Sequence, residues 1–232
     1  MILAIETATP DGSVALVEGG SVAAETILPA GRQASETVLS AVSSLLASRG
    51  AGPAGLSCVA VSAGPGSFTG LRVGMAAAKG YCFGWNLPMV LVPTLEALAS
   101  RFPDEGRVLC PVLDARKKEV YAALFRREAD VLTRLSPDLA LPPGGLLDRL
   151  PGGEIVFCGD GLKTYGAMFL ERLGNRATFI EGPAGLPAAG AVGILGERAF
   201  LEGAAEDPRS TVPAYIRPSE AEFKRPLSRE IP

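Results

Sequence analysis

Histidine is absent from this chain of 232 residues. A Ser-His-Asp or Cys-His nucleophile needs an imidazole as its base, so neither can be built from these residues. The common catalytic zinc sites also depend on histidine ligands. The absence therefore argues against a peptidase, which would lack both a base and a metal site.

Closely spaced cysteines are also lacking. The four cysteines have apolar or small neighbours and form no Cys-x-x-Cys pair; they are Cys58, Cys82, Cys110 and Cys158. This usage favours buried thiols in a reducing compartment over disulfides. The N-terminal residues 1–6 carry no basic group, which favours a strand over a signal peptide, and no apolar run is long and charge-free enough to span a bilayer. We therefore expect a cytoplasmic protein with no membrane partner.

A strong positive charge is missing as well. The net charge is −3 and the isoelectric point is about 5.2, whereas a protein that holds RNA alone normally shows a basic field. We expect the isolated chain to bind RNA weakly at most. The hydrophobic share of 47% is enough for a core, and the length suits one large domain or two small lobes.

What is present reads as two similar units in tandem. The first half has the order β-β-β-α-β-α-β-α. Its predicted strands are 1–7, 13–17, 22–28, 58–62 and 89–92; its predicted helices are 33–49, 68–84 and a short helix that Thr94 caps, with Glu96 in its first turn. The second half has strands at 108–113, 120–125, 131–135, 155–158 and 177–180, helices at 145–150, 163–173 and 187–203, and a charged turn at 114–118.

This order predicts three regions. The first is an N-terminal lobe of residues 1–104, onto which the 187–203 helix packs back. The second is a smaller C-terminal lobe of residues 105–186, and the third is a polar tail of residues 204–232. Its basic residues Lys224, Arg225 and Arg229 either are solvated or contact RNA or an acidic partner. The predicted fold class is α/β with two β-β-β-α-β-α lobes, and it resembles the actin, Hsp70 and hexokinase (ASKHA) fold.

That fold grips ATP between two hairpin turns, one from each lobe. The first turn here holds Glu6, Thr7 and Thr9, and the second holds Asp114 and Arg116. Close approach of a phosphate needs bare backbone N–H groups, and the second turn has no glycine. We interpret both turns as degenerate phosphate turns. An ATP-dependent enzyme of the same fold, such as a small kinase, remains the alternative.

A glycine-rich loop between the fourth strand and the second helix is the most specific stretch. It reads SAGPGSFTGLRVG from residue 62 to residue 74. Its glycines and hydroxyls before a helix resemble a phosphate loop, but no Lys-Ser or Lys-Thr pair ends it as in a Walker A loop. A tight strand-to-helix turn that needs Gly64 and Gly66 explains it equally well.

On these residues the chain resembles the TsaB family, a glycoprotease-like family of tRNA threonylcarbamoyladenosine biosynthesis. The opening residues 2–9, residues 112–116 with 119–121, and residues 212–217 resemble the same family. The resemblance implies a signature loop and partner interface formed by Gly64, Pro65, Gly66, Ser67, Phe68, Thr69, Gly70, Arg72, Gly74, Ala77 and Ala78.

The resemblance also implies a role. The family is related to TsaD, the catalytic subunit that forms N6-threonylcarbamoyladenosine at position 37 of tRNA. It acts as a non-catalytic scaffold and activator of TsaD, with TsaE as a further component. The chain would then have no cofactor of its own, with room for ATP or ADP at the boundary with TsaD. It would meet tRNA only through the complex and form a homodimer when alone.

The second helix has an unusual number of glycines. Each glycine inside a helix costs roughly 1 kcal/mol relative to alanine. Gly70 and Gly74 are four residues apart, as are Gly80 and Gly84, so each pair lies on one face. The helix is therefore either buried in its own lobe or shared between that lobe and a partner subunit. In the second case the first helix, which carries the small residues Ser40, Ser43, Ser44 and Ala47, could form part of the same interface.

Overall fold

The first of two β-sheets forms the N-terminal half of the chain. The computed structural model describes residues 1–29, 34–103, 106–129, 131–180, 182 and 188–216. The strands of this sheet are β1 (Ile2–Glu6), β2 (Ser13–Glu18), β3 (Ser21–Ile27), β4 (Cys58–Gly64) and β5 (Met89–Pro93). Their spatial order is β3-β2-β1-β4-β5, with β1–β2 and β2–β3 antiparallel and β1–β4 and β4–β5 parallel.

Helices cover both faces of this sheet. They are α1 (Ala34–Ser48), α2 (Phe68–Trp85), α3 (Thr94–Ser100) and α6 (Ala189–Leu201). Alternate residues of β1 point to opposite faces, so Leu3 and Ile5 pack with α1 and α2, whereas Ile2 and Ala4 pack with α6. Every residue of β1 is buried, as expected for a central strand between two helical layers.

A second sheet forms most of the C-terminal half. Its strands are β6 (Val108–Arg116), β7 (Glu119–Ala122), β8 (Phe125–Glu128), β9 (Val131–Arg134), β10 (Leu139–Leu141), β11 (Ile155–Cys158) and β12 (Ala177–Ile180). The main order is β10-β7-β6-β11-β12, and β8 pairs with β6 and β9. Helices α4 (Pro143–Leu147) and α5 (Leu162–Leu173) lie on one face of it.

Helix α3 joins the two halves. Its Leu95 and Leu98 are fully buried in a cluster with residues of β6, β8 and β11. An ion pair of 3.2 Å connects Arg134 of β9 to Glu96 of α3. Arg127 of β8 donates a hydrogen bond of 2.9 Å to a main-chain carbonyl of α3, that of Ser100. The contacts of α3 therefore connect the two sheets directly.

The structure corrects several boundaries in the second half. The predicted strand at 120–125 is two strands, because β7 pairs with the C-terminal half of β6 and β8 with its N-terminal half. Residues 139–153, which are rich in proline and glycine, contain the short strand β10. The helix in this segment is Pro143–Leu147 and not 145–150. Strand β6 continues through Asp114 to Arg116, so the turn that was predicted at 114–118 is shorter.

The predicted cap of α3 is wrong. Thr94 is the first residue of the helix and not its N-cap, and its hydroxyl is fully buried with no hydrogen-bond partner among the described residues. Pro93 occupies the N-cap position, with no side-chain capping bond. The helix follows directly on the preceding strand, whose last residue is Pro93.

The two-sheet architecture confirms the predicted fold class of two α/β lobes. All four cysteines are buried free thiols, as predicted from their neighbours. In the described part of the chain, no helix is long and apolar enough to cross a bilayer.

Candidate functional site: the interlobe cleft and the second helix

The glycine-rich loop turns the chain from β4 into α2. Ser67 is the N-cap of α2, and its side-chain oxygen accepts a hydrogen bond from the Gly70 N–H at 3.2 Å. Gly64 has a φ of +121°, and a β-carbon there would lie 2.6 Å from the carbonyl oxygen of Ala214. Only glycine fits this position, because both the conformation and the space exclude a side chain.

Three signature glycines face the first hairpin turn of their own lobe. A β-carbon on Gly66 would overlap the carbonyl oxygen of Ala8, one on Gly70 the carbonyl oxygen of Thr7, and one on Gly74 the hydroxyl of Thr7. The Thr7 hydroxyl donates a hydrogen bond of 2.8 Å to the Gly70 carbonyl. The first half of α2 is therefore bare because the β1–β2 turn lies against it, which agrees with the interpretation of a helix buried in its own lobe.

Glu6 ends β1 beneath this turn and is completely buried. Its carboxylate accepts a hydrogen bond of 2.6 Å from the Ala8 N–H and one of 3.2 Å from the Thr9 hydroxyl. Burial raises the pKa of Glu6 from 4.5 to about 7, since the two hydrogen bonds offset only part of the lost hydration. The predicted phosphate-turn residues of the first lobe thus bond mainly to one another and to α2.

The residues of the second turn bond to one another and to Asp160. The Asp114 carboxylate accepts a hydrogen bond of 2.8 Å from the Arg116 N–H, and the Asp114 N–H donates to Asp160 at 3.1 Å. An ion pair of 3.5 Å joins Arg116 to Asp114, although the Arg116 side chain is 79% exposed. Burial, with help from the nearby Asp114, raises the pKa of Asp160 above its usual value.

These two turns and the start of α2 border one cleft of about 510 Å³. Its lining residues are Thr7, Ala8, Thr9, Pro10, Gly12, Leu28, Pro29, Gly66, Ser67, Phe68, Thr69, Gly70, Val73, Leu113, Asp114, Ala115, Arg116, Tyr121 and Asp160. The structure therefore brings residues 66–70 of the signature loop together with both predicted turns. Gly64, Pro65, Arg72, Gly74, Ala77 and Ala78 do not line this cleft. In the described residues, no group of three His, Cys, Asp or Glu side chains could hold a metal ion.

The second half of α2 has a different environment. Ala76, Gly80 and Gly84 are exposed, and nothing lies within 4 Å of a β-carbon built on either glycine. Phe83 on the same helix is 59% exposed. Among the predicted interface residues, Ala77 is half-buried and Ala78 is fully buried against the first sheet. The two glycine pairs have the same helical spacing, but Gly70 and Gly74 pack against the lobe whereas Gly80 and Gly84 lie at the surface.

Sequence reasoning missed a contact from the C-terminal segment. Part of the predicted polar tail returns to the first lobe, where the Ala214 N–H donates to the Ala63 carbonyl at 2.7 Å. The Tyr215 ring lies 5.0 Å from that of Phe68, and Arg72 stacks over Phe68 and donates to the Tyr215 hydroxyl at 3.1 Å. The resemblance of residues 212–217 to the family was the one indication in the sequence that this segment has a fixed role. The tail residues Lys224, Arg225 and Arg229 lie outside the described residues.

Comparison with known proteins agrees with this geometry. A family model described as TsaD, tRNA N6-adenosine threonylcarbamoyltransferase, matches residues 27–224. The tRNA threonylcarbamoyladenosine biosynthesis protein TsaB of Escherichia coli is 33% identical, over 97% of this chain and 98% of its own length. TsaB of Bacillus subtilis is 30% identical, over 96% of both chains.

Solved structures share the fold of this chain. A Pseudomonas aeruginosa protein with similarity to peptidase YeaZ is 25% identical, covers 93% of this chain and 99% of its own, and superposes with a TM-score of 0.79. Component A of the (R)-2-hydroxyglutaryl-CoA dehydratase of Acidaminococcus fermentans, at 9% identity, shares the fold alone, with a TM-score of 0.51, 86% of this chain and 98% of its own covered. The chain belongs to the TsaB family, whose curated members are named tRNA threonylcarbamoyladenosine biosynthesis proteins.

Proposed function

We propose that this chain is a non-catalytic scaffold and activator subunit in the formation of N6-threonylcarbamoyladenosine at position 37 of tRNA. Its catalytic partner is TsaD, TsaE is a further component, and tRNA is met through the complex. Identity of 30–33% over nearly the full length to proteins named for this pathway supports the pathway. The match to the TsaD family model supports a partner of related fold.

The non-catalytic part of the proposal rests on one observation, that the polar groups of the first turn form hydrogen bonds within their own lobe. The Thr7 and Thr9 hydroxyls and the Ala8 N–H are all donated to acceptors within the lobe. In a nucleotide-binding turn, such groups face the phosphates. Here the turn is closed against α2, and Lys117 and Lys118 replace glycine in the opposite turn. Neither turn offers a bare backbone cradle.

The exposed half of α2, together with α1, is the face we assign to TsaD. These two helices pack side by side on the first sheet. Leu39 of α1 is 55% exposed and Phe83 of α2 is 59% exposed. The same two helices also carry small exposed residues, namely Ser40, Ser43, Ala47, Ala76, Gly80 and Gly84. Small side chains let a second helix pair approach closely, and the two exposed hydrophobic residues would supply apolar contact area.

The same face serves for self-association when TsaD is absent, which gives the predicted homodimer. Both assemblies would compete, since they use the same residues. ATP or ADP, if present, would lie at the boundary with TsaD and not within this chain's own turns.

Matched arginine substitutions test the face. Ala76→Arg puts a long charged side chain on the exposed face of α2, whereas Ala167→Arg puts the same side chain on the exposed face of α5. Both should melt close to the parent, because surface substitutions usually change stability by less than about 0.5 kcal/mol. We expect Ala76→Arg to weaken capture of TsaD at least tenfold and to reduce tRNA modification by the reconstituted complex, while Ala167→Arg leaves both unchanged. Equal behaviour of the two variants would contradict the assigned face.

The alternative is an ATP-dependent enzyme of the same fold, which the cleft between the two turns favours. Titration calorimetry of the isolated chain with ATP separates the two functions. The scaffold role predicts neither binding nor ATP turnover above background. Turnover that survives further purification and disappears in Asp114→Ala would establish the alternative.

A further inference from the structure

The tip of the β6–β7 hairpin has a strained backbone. Arg116 pairs with Glu119, so Lys117 and Lys118 form a two-residue turn. The φ angles of Arg116, Lys117 and Lys118 are 61°, 52° and 63°. Two-residue turns with positive φ at both positions strongly favour Asn-Gly or Gly-Gly, because a β-carbon is disfavoured there. Three consecutive residues other than glycine with positive φ therefore cost free energy, and such backbone strain is concentrated at functional positions.

The strained residues are all cations, and Lys163 shares a neighbour with the first of them, because the charges of Arg116 and Lys163 both act on the Asp160 carboxylate. Arg116, Lys117 and Lys118 are exposed, and so is Lys163 at the start of α5. The Lys163 N–H donates to the Asp160 carbonyl at 3.1 Å, in the turn that faces the hairpin across Asp114. The nearby carboxylates of Asp114 and Asp160 are half-buried inside the cleft, and Arg116 keeps its ion pair with Asp114 although its side chain is mostly exposed. The outer surface is therefore a basic rim, defined here as Arg116, Lys117, Lys118 and Lys163, on a chain whose net charge is −3.

We propose that the basic rim binds the phosphate backbone of tRNA within the assembled complex. This inference rests on the proposed function, which makes tRNA the substrate of that complex. Exposed lysine and arginine side chains are the usual contacts to phosphate oxygens, and they need no fixed geometry. A protein partner fits the rim less well, since lysine is depleted in protein interfaces.

A small nucleotide in the cleft also fits less well than RNA. Of the three hairpin-tip cations, Arg116 is among the residues that line the cleft, whereas Lys117 and Lys118 are not. The two lysines form the outer end of the hairpin and are exposed, so the phosphate backbone of an extended polyanion can contact both. Their charge explains why lysines occupy a turn whose backbone favours Asn-Gly.

The test separates charge from backbone strain. The double variant Lys117→Asn/Lys118→Gly removes two charges and supplies the turn sequence that the backbone favours. We expect its melting temperature to rise by about 2–6 °C, while the affinity of its complex with TsaD for tRNA falls about tenfold. The slope of log K against log salt should fall by about two, one for each lost phosphate contact. The single variant Lys118→Asn, which tolerates the same conformation, should show about half of each effect.

Two controls complete the design. Lys117→Arg/Lys118→Arg keeps both charges and should bind tRNA like the parent. Arg149→Asn removes an exposed charge outside the rim and should leave the affinity and salt slope unchanged.

Unchanged tRNA affinity in the Asn/Gly variant would overturn the proposal, and so would loss of TsaD or TsaE capture without loss of tRNA binding. Failure of the proposed function has a different result, because the parent chain would then not stimulate tRNA modification by TsaD at all.

Discussion

Thr7 and Gly70 hold the first hairpin turn against the start of α2. The Thr7 hydroxyl donates to the Gly70 carbonyl at 2.8 Å, and a β-carbon on Gly70 would overlap the Thr7 carbonyl oxygen. Because the obstacle is backbone, no side-chain rotation can relieve it. This contact explains the first glycine pair of the helix as a requirement of the lobe's own packing.

Alanine substitutions should therefore have opposite effects along one helix. Gly70→Ala forces the turn and the helix apart, and we expect it to destabilise the fold by at least about 1–3 kcal/mol. Gly80→Ala has open space and no positive φ, so it should stabilise the fold by up to about 1 kcal/mol through helix propensity. Urea unfolding of both variants measures the difference. Similar free energies of unfolding for the two would show that the close approach at Gly70 is not rigid.

A double-mutant cycle tests whether Gly74 also belongs to the core. The obstacle to a β-carbon on Gly74 is the Thr7 hydroxyl, and the next atoms are at 3.6 Å, an ordinary contact distance. Gly74→Ala alone should be destabilising, but much less so in a Thr7→Ala background, where the hydroxyl is gone. We expect a coupling free energy of about 1 kcal/mol or more. Additive costs would indicate that Gly74 is free of Thr7 and would revive the interpretation of Gly74 as an interface residue.

Glu6 should make stability fall with rising pH. Its pKa is about 7 in the folded state against 4.5 in the unfolded chain, so the folded state binds the proton more tightly between these values. Stability is then highest below about pH 4.5 with respect to this group and is lost as the pH rises through about 7. At about 1.4 kcal/mol for each pKa unit, the loss is on the order of 3 kcal/mol.

Glu6→Gln should remove that loss, because a neutral amide can still accept the hydrogen bond from the Ala8 N–H. We expect the free energy of unfolding to vary less between pH 4.5 and pH 7 than in the parent, with the variant more stable at pH 8. Asp160 is present in both proteins, so its raised pKa leaves a common residual slope. Glu36→Gln, at an exposed position of α1, is the matched control and should keep the parent profile. An unaltered pH profile in Glu6→Gln would contradict this account.

Local pattern was enough for many of the elements. The apolar runs of β1, β4 and β11 and the stop at the end of α1 were predicted from short segments, because burial on both faces of a strand leaves an unbroken apolar sequence. The prediction of a single strand at 120–125 was wrong, since the segment itself does not encode that β7 and β8 pair with different parts of β6.

The sequence by itself determined that imidazole chemistry is excluded, that the thiols lie in apolar surroundings and that the signature motifs match one family. Only the tertiary structure decided how the glycines of α2 are used. Helical spacing assigns Gly70 with Gly74, and Gly80 with Gly84, to common faces, but the turn that meets the first pair comes from residues more than sixty positions earlier. The burial of Glu6 and the return of Tyr215 to Phe68 likewise depend on contacts between distant segments, which no local pattern records.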